Sequence, residues 1–376
     1  MIIGIDGNEA NVPTRVGIGE YAFQLLSQFY SLKKQKKTES EFVIYLKDEP
    51  LSHLPPEDEG WTYKIIKPRK FWTRIGLPLN LFLDKEKPAI FFSPSHYGPY
   101  ISPVKTAISI MDLSYIHFPE LFAKKDVYQL TNWTAHSAKQ ANHIFTISNM
   151  SKNDIMKEYQ VASSDVTVTH LGIKEAYLVN TEKMADIRTK FSIQGDYILF
   201  VGTLQPRKNI TRLIEAFSKV IKAEGHEDLQ LVIVGKKGWL YEKILEAPNT
   251  YHVLEQVKFL DFVSDEDLPG LYEQAKCYVL PSLYEGFGLP VLEAMKYGCP
   301  VITSNISSLP EAGGDAALYV DPYSPDDIAE KIVYLLDNPK VQKEMREKGY
   351  EHIKKFSWEK TAKETLDVLE RLAGGK

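Results

Sequence analysis

The stretch that decides the fold is Pro281-Ser282-Leu283-Tyr284-Glu285-Gly286-Phe287-Gly288-Leu289-Pro290-Val291-Leu292-Glu293-Ala294-Met295. Ahead of it, Cys277–Pro281 is a short apolar run, the pattern of a strand buried on both faces of a parallel sheet. Behind it, an apolar periodicity from Leu289 predicts a helix. Pro290 falls in its first turn, where a missing N–H costs nothing. Between them, Gly286 and Gly288 permit positive φ and let backbone approach a ligand closely. Strand, glycine loop and helix start leave free N–H groups at the positive end of a helix dipole, an anion site. Glu285 precedes that site and Glu293 lies about one turn inside the helix. Carboxylates beside an anion site make sense if they bind hydroxyls, as a ribose and a hexose on either side of a diphosphate would supply.

Two further strand-to-helix junctions carry related chemistry. In Gly202-Thr203-Leu204-Gln205-Pro206-Arg207-Lys208-Asn209 the cations sit just before a helix start, where the dipole disfavours them unless an anion neutralises them. A diphosphate is a ready partner, since Arg offers a planar fork and Lys a point charge. In Thr14-Arg15-Val16-Gly17-Ile18-Gly19-Glu20-Tyr21, Gly17 and Gly19 would place amides against a phosphate. This is not the dinucleotide fingerprint, because the third glycine is missing, which disfavours a nicotinamide-dependent dehydrogenase.

Working outward, short apolar runs alternate with longer helical patterns, which argues for an α/β fold. Strands are expected at Ile2–Asp6, Phe42–Leu46, Ala89–Phe92, Thr106–Ile110 and His143–Ile147. The pattern restarts at Tyr197–Gly202 and continues at Leu229–Gly235, Val257–Phe262, Cys277–Pro281 and Pro300–Thr303. Helices are expected over Gly19–Leu32, Leu121–Ala141 and Ile210–Ala223. Ser264 with Asp267, Ser324-Pro325 and Asn338-Pro339 read as helix starts, and Ser357 as the cap of a last helix. A polar stretch, 180–194, reads as a linker between two halves.

The chain has 376 residues, 44% hydrophobic and 25% charged, enough for two globular cores. Its formal net charge of −5 argues against a nucleic-acid partner. Two cysteines, Cys277 and Cys299, make no disulfide framework, and no Cys/His cluster has metal-ligand spacing. The start, Met1–Asp6, reads as a strand rather than a signal peptide, and no apolar run is long enough to span a membrane. A cytoplasmic protein, with reduced thiols, is the expectation.

Glu285-Gly286-Phe287-Gly288-Leu289-Pro290-Val291-Leu292-Glu293 carries paired glutamates with seven residues between. Together with Gly202–Asn209, Gly298-Cys299-Pro300-Val301-Ile302 and Leu309-Pro310-Glu311-Ala312-Gly313-Gly314, it resembles the retaining glycosyltransferases of the family 4, or "group 1", type. The resemblance implies the GT-B fold: α/β, two Rossmann-like domains facing each other across a cleft. It implies an acceptor-side domain over 1–180, a nucleotide-sugar domain over 190–356, and a last helix, 357–373, crossing back to the first. Arg207 and Lys208 would hold the diphosphate, with Glu285 on the transferred sugar. Gly286, Phe287, Gly288 and Leu289 would line sugar and phosphate, and Glu293 the ribose. Val263 would lie against the base, and Gly17 and Gly19 would close on the phosphates. The implied donor is a UDP- or GDP-sugar, mannose or glucose being favoured, and the acceptor a glycan or lipid-linked glycan. No metal or cofactor is implied.

Many relatives carry a His-Asp pair where this chain has Met111-Asp112. Met cannot donate a hydrogen bond or act as a base. Asp112, or a histidine such as His96, His117 or His170, would then supply the polar contact. A nucleotide-sugar epimerase or hydrolase, and a sensor without catalysis, are the competing readings. Finally, Lys67-Pro68-Arg69-Lys70-Phe71-Trp72-Thr73-Arg74 is basic and aromatic, and with Lys33–Lys37 would suit peripheral contact with the inner face of a membrane.

Overall fold

The computed structural model describes residues 1–173 and 187–374; the part of the expected linker numbered 180–186 lies outside the described residues. The chain forms two compact units. The first gathers Met1–His117, Ala123–Gly172 and the chain from Phe356 onward; the second gathers Phe118–Phe122 and Ile173–Lys355.

In the first unit, β1 (Ile2–Asp6), β2 (Glu41–Leu46), β3 (Trp61–Ile65), β4 (Ile90–Ser93), β5 (Lys105–Ser109), β6 (His143–Thr146) and β7 (Val166–Val168) form one sheet. Its order is β3-β2-β1-β4-β5-β6-β7, and every pairing is parallel. β4, as Ile-Phe-Phe-Ser, is buried from end to end, and β1 and β5 are buried past their first residue, because helices cover both faces of such a sheet. Helix Ile18–Lys34 turns Tyr21, Ala22, Leu25, Leu26, Phe29 and Leu32 inward, a stripe of helical period. Helix Trp358–Gly374 packs on it, with the Tyr21 and Trp358 rings 6.3 Å apart and Ser40 donating to Glu370 at 2.7 Å.

In the second unit, β8 (Tyr197–Val201), β9 (Gln230–Val234), β10 (Val257–Leu260), β11 (Cys277–Leu280), β12 (Val301–Ser304) and β13 (Ala317–Val320) run in the order β10-β9-β8-β11-β12-β13, again all parallel. The first six strands of unit one and the six of unit two thus share one doubly wound order. In each, the first strand of the unit lies next to the fourth, and successive crossovers leave that point in opposite directions. Such a switch point opens a crevice at the carboxyl ends of its two strands. It falls between β1 and β4 in the first unit and between β8 and β11 in the second. Both cysteines are free and buried.

Three strands, β3, β7 and β13, fall where the sequence shows no strand pattern. All are edge strands with partly exposed residues; β3 and β7 are broken by polar residues, and β13, Ala-Leu-Tyr-Val, is a run of only four. Ser324 does cap its helix, accepting from the Asp327 N–H at 3.1 Å. Asn338 does not cap the next: its Nδ2 donates backwards to the Tyr334 carbonyl at 2.6 Å, closing the preceding helix instead.

Candidate active site

The loops that leave β8 and β11 meet at the switch point of the second unit. After β8 a tight turn, Pro206–Lys208, delivers Arg207 and Lys208, and Asn209 at φ 60° starts helix Ile210–Val220. The Asn209 amide pins this turn to the neighbouring loops through the Pro281 and Pro322 carbonyls, at 2.9 and 2.6 Å. After β11 the chain runs through Ser282–Gly288 into helix Leu289–Lys296, and the Leu283 N–H bonds the Arg207 carbonyl at 2.8 Å.

Three charged side chains converge there. Lys208 Nζ lies 2.6 Å from Glu285 Oε1, and Arg207 donates to Glu285 Oε2 at 3.0 Å. Ser282 donates to Oε1 at 2.7 Å. Glu285 and Lys208 are buried. Burial by itself would push the Glu285 carboxyl up. The charges of Lys208 and Arg207, with hydrogen bonds from Lys208 and Ser282, overrule it and hold the group at about 2. The carboxylate is therefore ionised at neutral pH and holds both cations. The anion that lets two cations sit before a helix start is thus, in the first place, a protein carboxylate.

Serine hydroxyls fix the Glu285 backbone: its N–H donates to Ser307, and its carbonyl accepts from Ser307 at 2.8 Å and Ser308 at 2.7 Å. Gly288 occupies the N-cap of helix Leu289–Lys296 at φ 109°, with no side-chain cap. A Cβ there would stand 2.8 Å from Leu309, so both conformation and space demand glycine. The first-turn N–H groups of this helix are left to a ligand or solvent by the capping residue itself. Glu293, half-buried, accepts from the Tyr272 hydroxyl at 3.3 Å. Of the segment expected against a base, Val263 is buried, while Phe262 stands exposed with Lys236 4.8 Å from its ring.

The serines and Tyr272 were not singled out in the sequence. Ser307-Ser308 directly before Leu309-Pro310 is the one signal, a hydroxyl pair at a helix start.

In the first unit, the switch-point loops carry a second group. Gly17 is the N-cap of helix Ile18–Lys34 at φ 52°, and the space about its α-carbon is open. Asp6, buried at the end of β1, accepts from the Asn8 N–H at 3.0 Å, and burial lifts its carboxyl to about 6. His96 lies in the loop after β4, and the neighbouring β5 leads to Met111 and Asp112. Burial lowers His96 to about 4 against the opposing pull of the Asp112 charge, so its ring is neutral at pH 7. Asp112 Oδ1 accepts from the Ser114 N–H at 2.8 Å. The other histidines are occupied elsewhere: His117 pairs with Asp154 at 2.8 Å, and the His170 ring meets Phe356 edge-on. Of these histidines, His96 is the one on which the Asp112 charge is seen to act.

Residues 183–352 match the model of the glycosyl transferases group 1. The chain is 31% identical over 314 residues, 82% of its length, to the O-antigen chain mannosyltransferase B of Escherichia coli, and covers 79% of that protein. It is 32% identical over 239 residues to the serotype-specific mannosyltransferase WbdA of the same organism, although that match spans 29% of the WbdA length. Among solved structures, HepE of Anabaena, in complex with UDP and glucose, superposes with a TM-score of 0.73 at 14% identity, with 98% of this chain and 99% of that one covered. Sucrose-phosphate synthase of Thermosynechococcus elongatus superposes at 0.72 and 16% identity, covering both chains completely. The two doubly wound sheets are those of the GT-B fold, and the chain belongs to the group 1 glycosyl transferases: it is a glycosyltransferase.

Proposed function

We propose that the chain transfers a hexose, with retention at the anomeric carbon, from a UDP- or GDP-sugar to a glycan or lipid-linked acceptor during polysaccharide synthesis, in contact with a membrane surface. The observation that carries this reading is the Arg207–Glu285–Lys208 cluster beside an uncapped helix start. A departing nucleoside diphosphate gains negative charge as the glycosidic bond breaks. Two fixed cations and the N–H groups of Phe287, Gly288 and Leu289 answer that charge without reorganising, the arrangement that lowers such barriers most, and no metal is invoked.

Glu285 serves two purposes in this reading. An ionised carboxylate offers about four lone-pair sites. Lys208, Arg207 and Ser282 take three, which leaves about one for a hydroxyl of the transferred sugar. Glu293, further along the helix, binds the ribose, and Phe262 stacks on the base. The acceptor hydroxyl attacks from the face of the leaving group, whose phosphate takes the proton. Mannose is favoured because the curated relatives above are named mannosyltransferases. His96, neutral and coupled to Asp112, provides the polar contact that Met111 cannot.

Thermal-shift measurement against UDP, GDP and their sugars tests the donor site. A nucleotide at 100 times its Kd adds about 2.7 kcal/mol, roughly 5–10 °C in Tm for a unit of this size. No shift with any of them would remove the donor assignment. Turnover without acceptor would favour an epimerase or hydrolase, and binding without turnover a sensor.

A further inference from the structure

The first unit carries a second apolar stripe that no core accounts for. After Phe71, the chain winds through Trp72–Gly76 into helix Leu77–Leu83. Trp72, Leu77 and Leu81 turn inward, onto Tyr45, Ile66 and Phe91. Phe71, Ile75, Leu79, Phe82 and Leu83 turn outward and are between 44% and 79% exposed. Their spacing, four, four, three and one, follows the helical period, so the segment is apolar on two opposite faces. Exposed Tyr100 and Ile101 extend the patch, tied to it where the Tyr100 N–H bonds the Thr73 carbonyl at 2.8 Å. Contiguous apolar surface of this kind on a soluble unit marks an interaction site.

The charge around it identifies the partner. Residues 67–87 hold six basic and two acidic side chains in a chain whose net charge is −5. One of those acids, Asp84, is neutralised by Lys64, and one of those bases, Arg69, by Asp48, which leaves five bases against one acid. Beside the stripe, Arg74 lies over the rings of Trp133, at 4.2 Å, and Tyr100, at 5.6 Å. Among the described residues no carboxylate pairs with it. It opens onto a pocket of about 210 Å³ lined also by Tyr97, Tyr128 and His136. A guanidinium set over two aromatic rings, with no carboxylate partner among the described residues, suits a phosphate group.

We infer that this face, Phe71–Leu83 with Tyr100 and Ile101, docks on an anionic lipid bilayer, the stripe entering the acyl boundary and Arg74 taking a lipid phosphate. An amphipathic segment binds membranes through its buried apolar area and its cations together, and an anionic leaflet attracts this cationic face while repelling the rest of an acidic chain. The inference gives the membrane contact proposed above a location. Its test uses no turnover, so its failure leaves the transferase reading intact.

The experiment is co-sedimentation with vesicles of phosphatidylcholine alone and vesicles with about 30% phosphatidylglycerol. Wild type is expected to bind the anionic vesicles at least about tenfold more tightly, and less so at high salt. Leu79→Ser with Leu83→Ser, two exposed positions, should keep the wild-type Tm and lose about tenfold or more in binding. Arg74→Gln should reduce the preference for anionic over neutral vesicles. Three outcomes each overturn the inference: no binding by wild type, equal binding by the serine variant, or vesicle-independent dimerisation that the serine variant abolishes, which would assign the stripe to a second copy of the chain.

Discussion

Replacing Lys208 by methionine removes one cation from the buried cluster and keeps most of its volume. Glu285 then faces Arg207 and Ser282 alone. In the wild type its carboxyl sits at about 2 against an ordinary 4.5, a linkage of about 3 kcal/mol at one pKa unit per 1.36 kcal/mol. The group is buried, so solvent screening takes little from that figure. Because the folded pKa is depressed, this stability is fully present above about 4.5 and lost as pH falls through about 2. Breaking a buried pair costs roughly 3–5 kcal/mol, and the remaining Arg207 keeps the loss near the lower end. Lys208→Met should therefore be less stable by about 3 kcal/mol at pH 7, with the gap closing as pH falls from about 4.5 towards 2. Urea denaturation of both proteins across that range measures it. Turnover should fall by about 100-fold or more, the usual effect of losing one donor to a developing charge. A stability gap independent of pH, or a variant as stable as wild type, would refute the claim that Lys208 holds Glu285 ionised.

The other predictions concern single positions. Glu293→Gln should weaken free UDP or GDP by about tenfold, one modest hydrogen bond, while Glu285→Gln should lower sugar transfer more than it lowers binding of the free nucleotide; equal loss of free nucleotide by calorimetry would erase that division. His96→Ala should reduce turnover and leave donor binding unchanged, whereas Met111→His should fold and keep activity within about tenfold of wild type; acceptor-dependent kinetics with unaltered His96→Ala turnover would dismiss His96. Gly288→Ala forces a side chain into φ 109° and against Leu309, so Tm should drop by an amount equivalent to about 1–3 kcal/mol, and an unchanged Tm would show that the loop has another conformation.

The sequence was most informative where strands are central and loops are chemical. Cys277–Leu280 is apolar throughout, Val301–Ser304 is buried from end to end and Ile2–Asp6 at all but its first position, because both faces are covered; each is expected within a residue or so. The edge strands β3 and β13 are each mostly half exposed, so pairing with a neighbour, not local pattern, makes them strands. Asn338 shows the same limit at a helix end: the Asn-Pro signal marks the helix start, but the side chain donates back to the Tyr334 carbonyl of the preceding helix and caps nothing in its own. At the candidate site, the sequence marks Arg207, Lys208 and Gly288 as residues to attend an anion and Glu285 as one to bind hydroxyls. That the cations first bind Glu285 was not legible, since the contact joins residues 77 and 78 positions apart and depends on β8 lying next to β11. The same reason hid Ser307 and Ser308, which act on Glu285 from 22 and 23 residues away. That the Asp112 charge reaches His96 likewise follows from the adjacency of β4 and β5, which no local pattern announces.

The most direct test of the account is release of nucleoside diphosphate from GDP-mannose and UDP-glucose, with and without glycan and lipid-linked acceptors, with the configuration of the new glycosidic bond read by NMR. The account predicts acceptor-dependent release, a product that keeps the donor's anomeric configuration, and near-complete loss of both in Lys208→Met. An inverted product, or release that Lys208→Met leaves untouched, would contradict it.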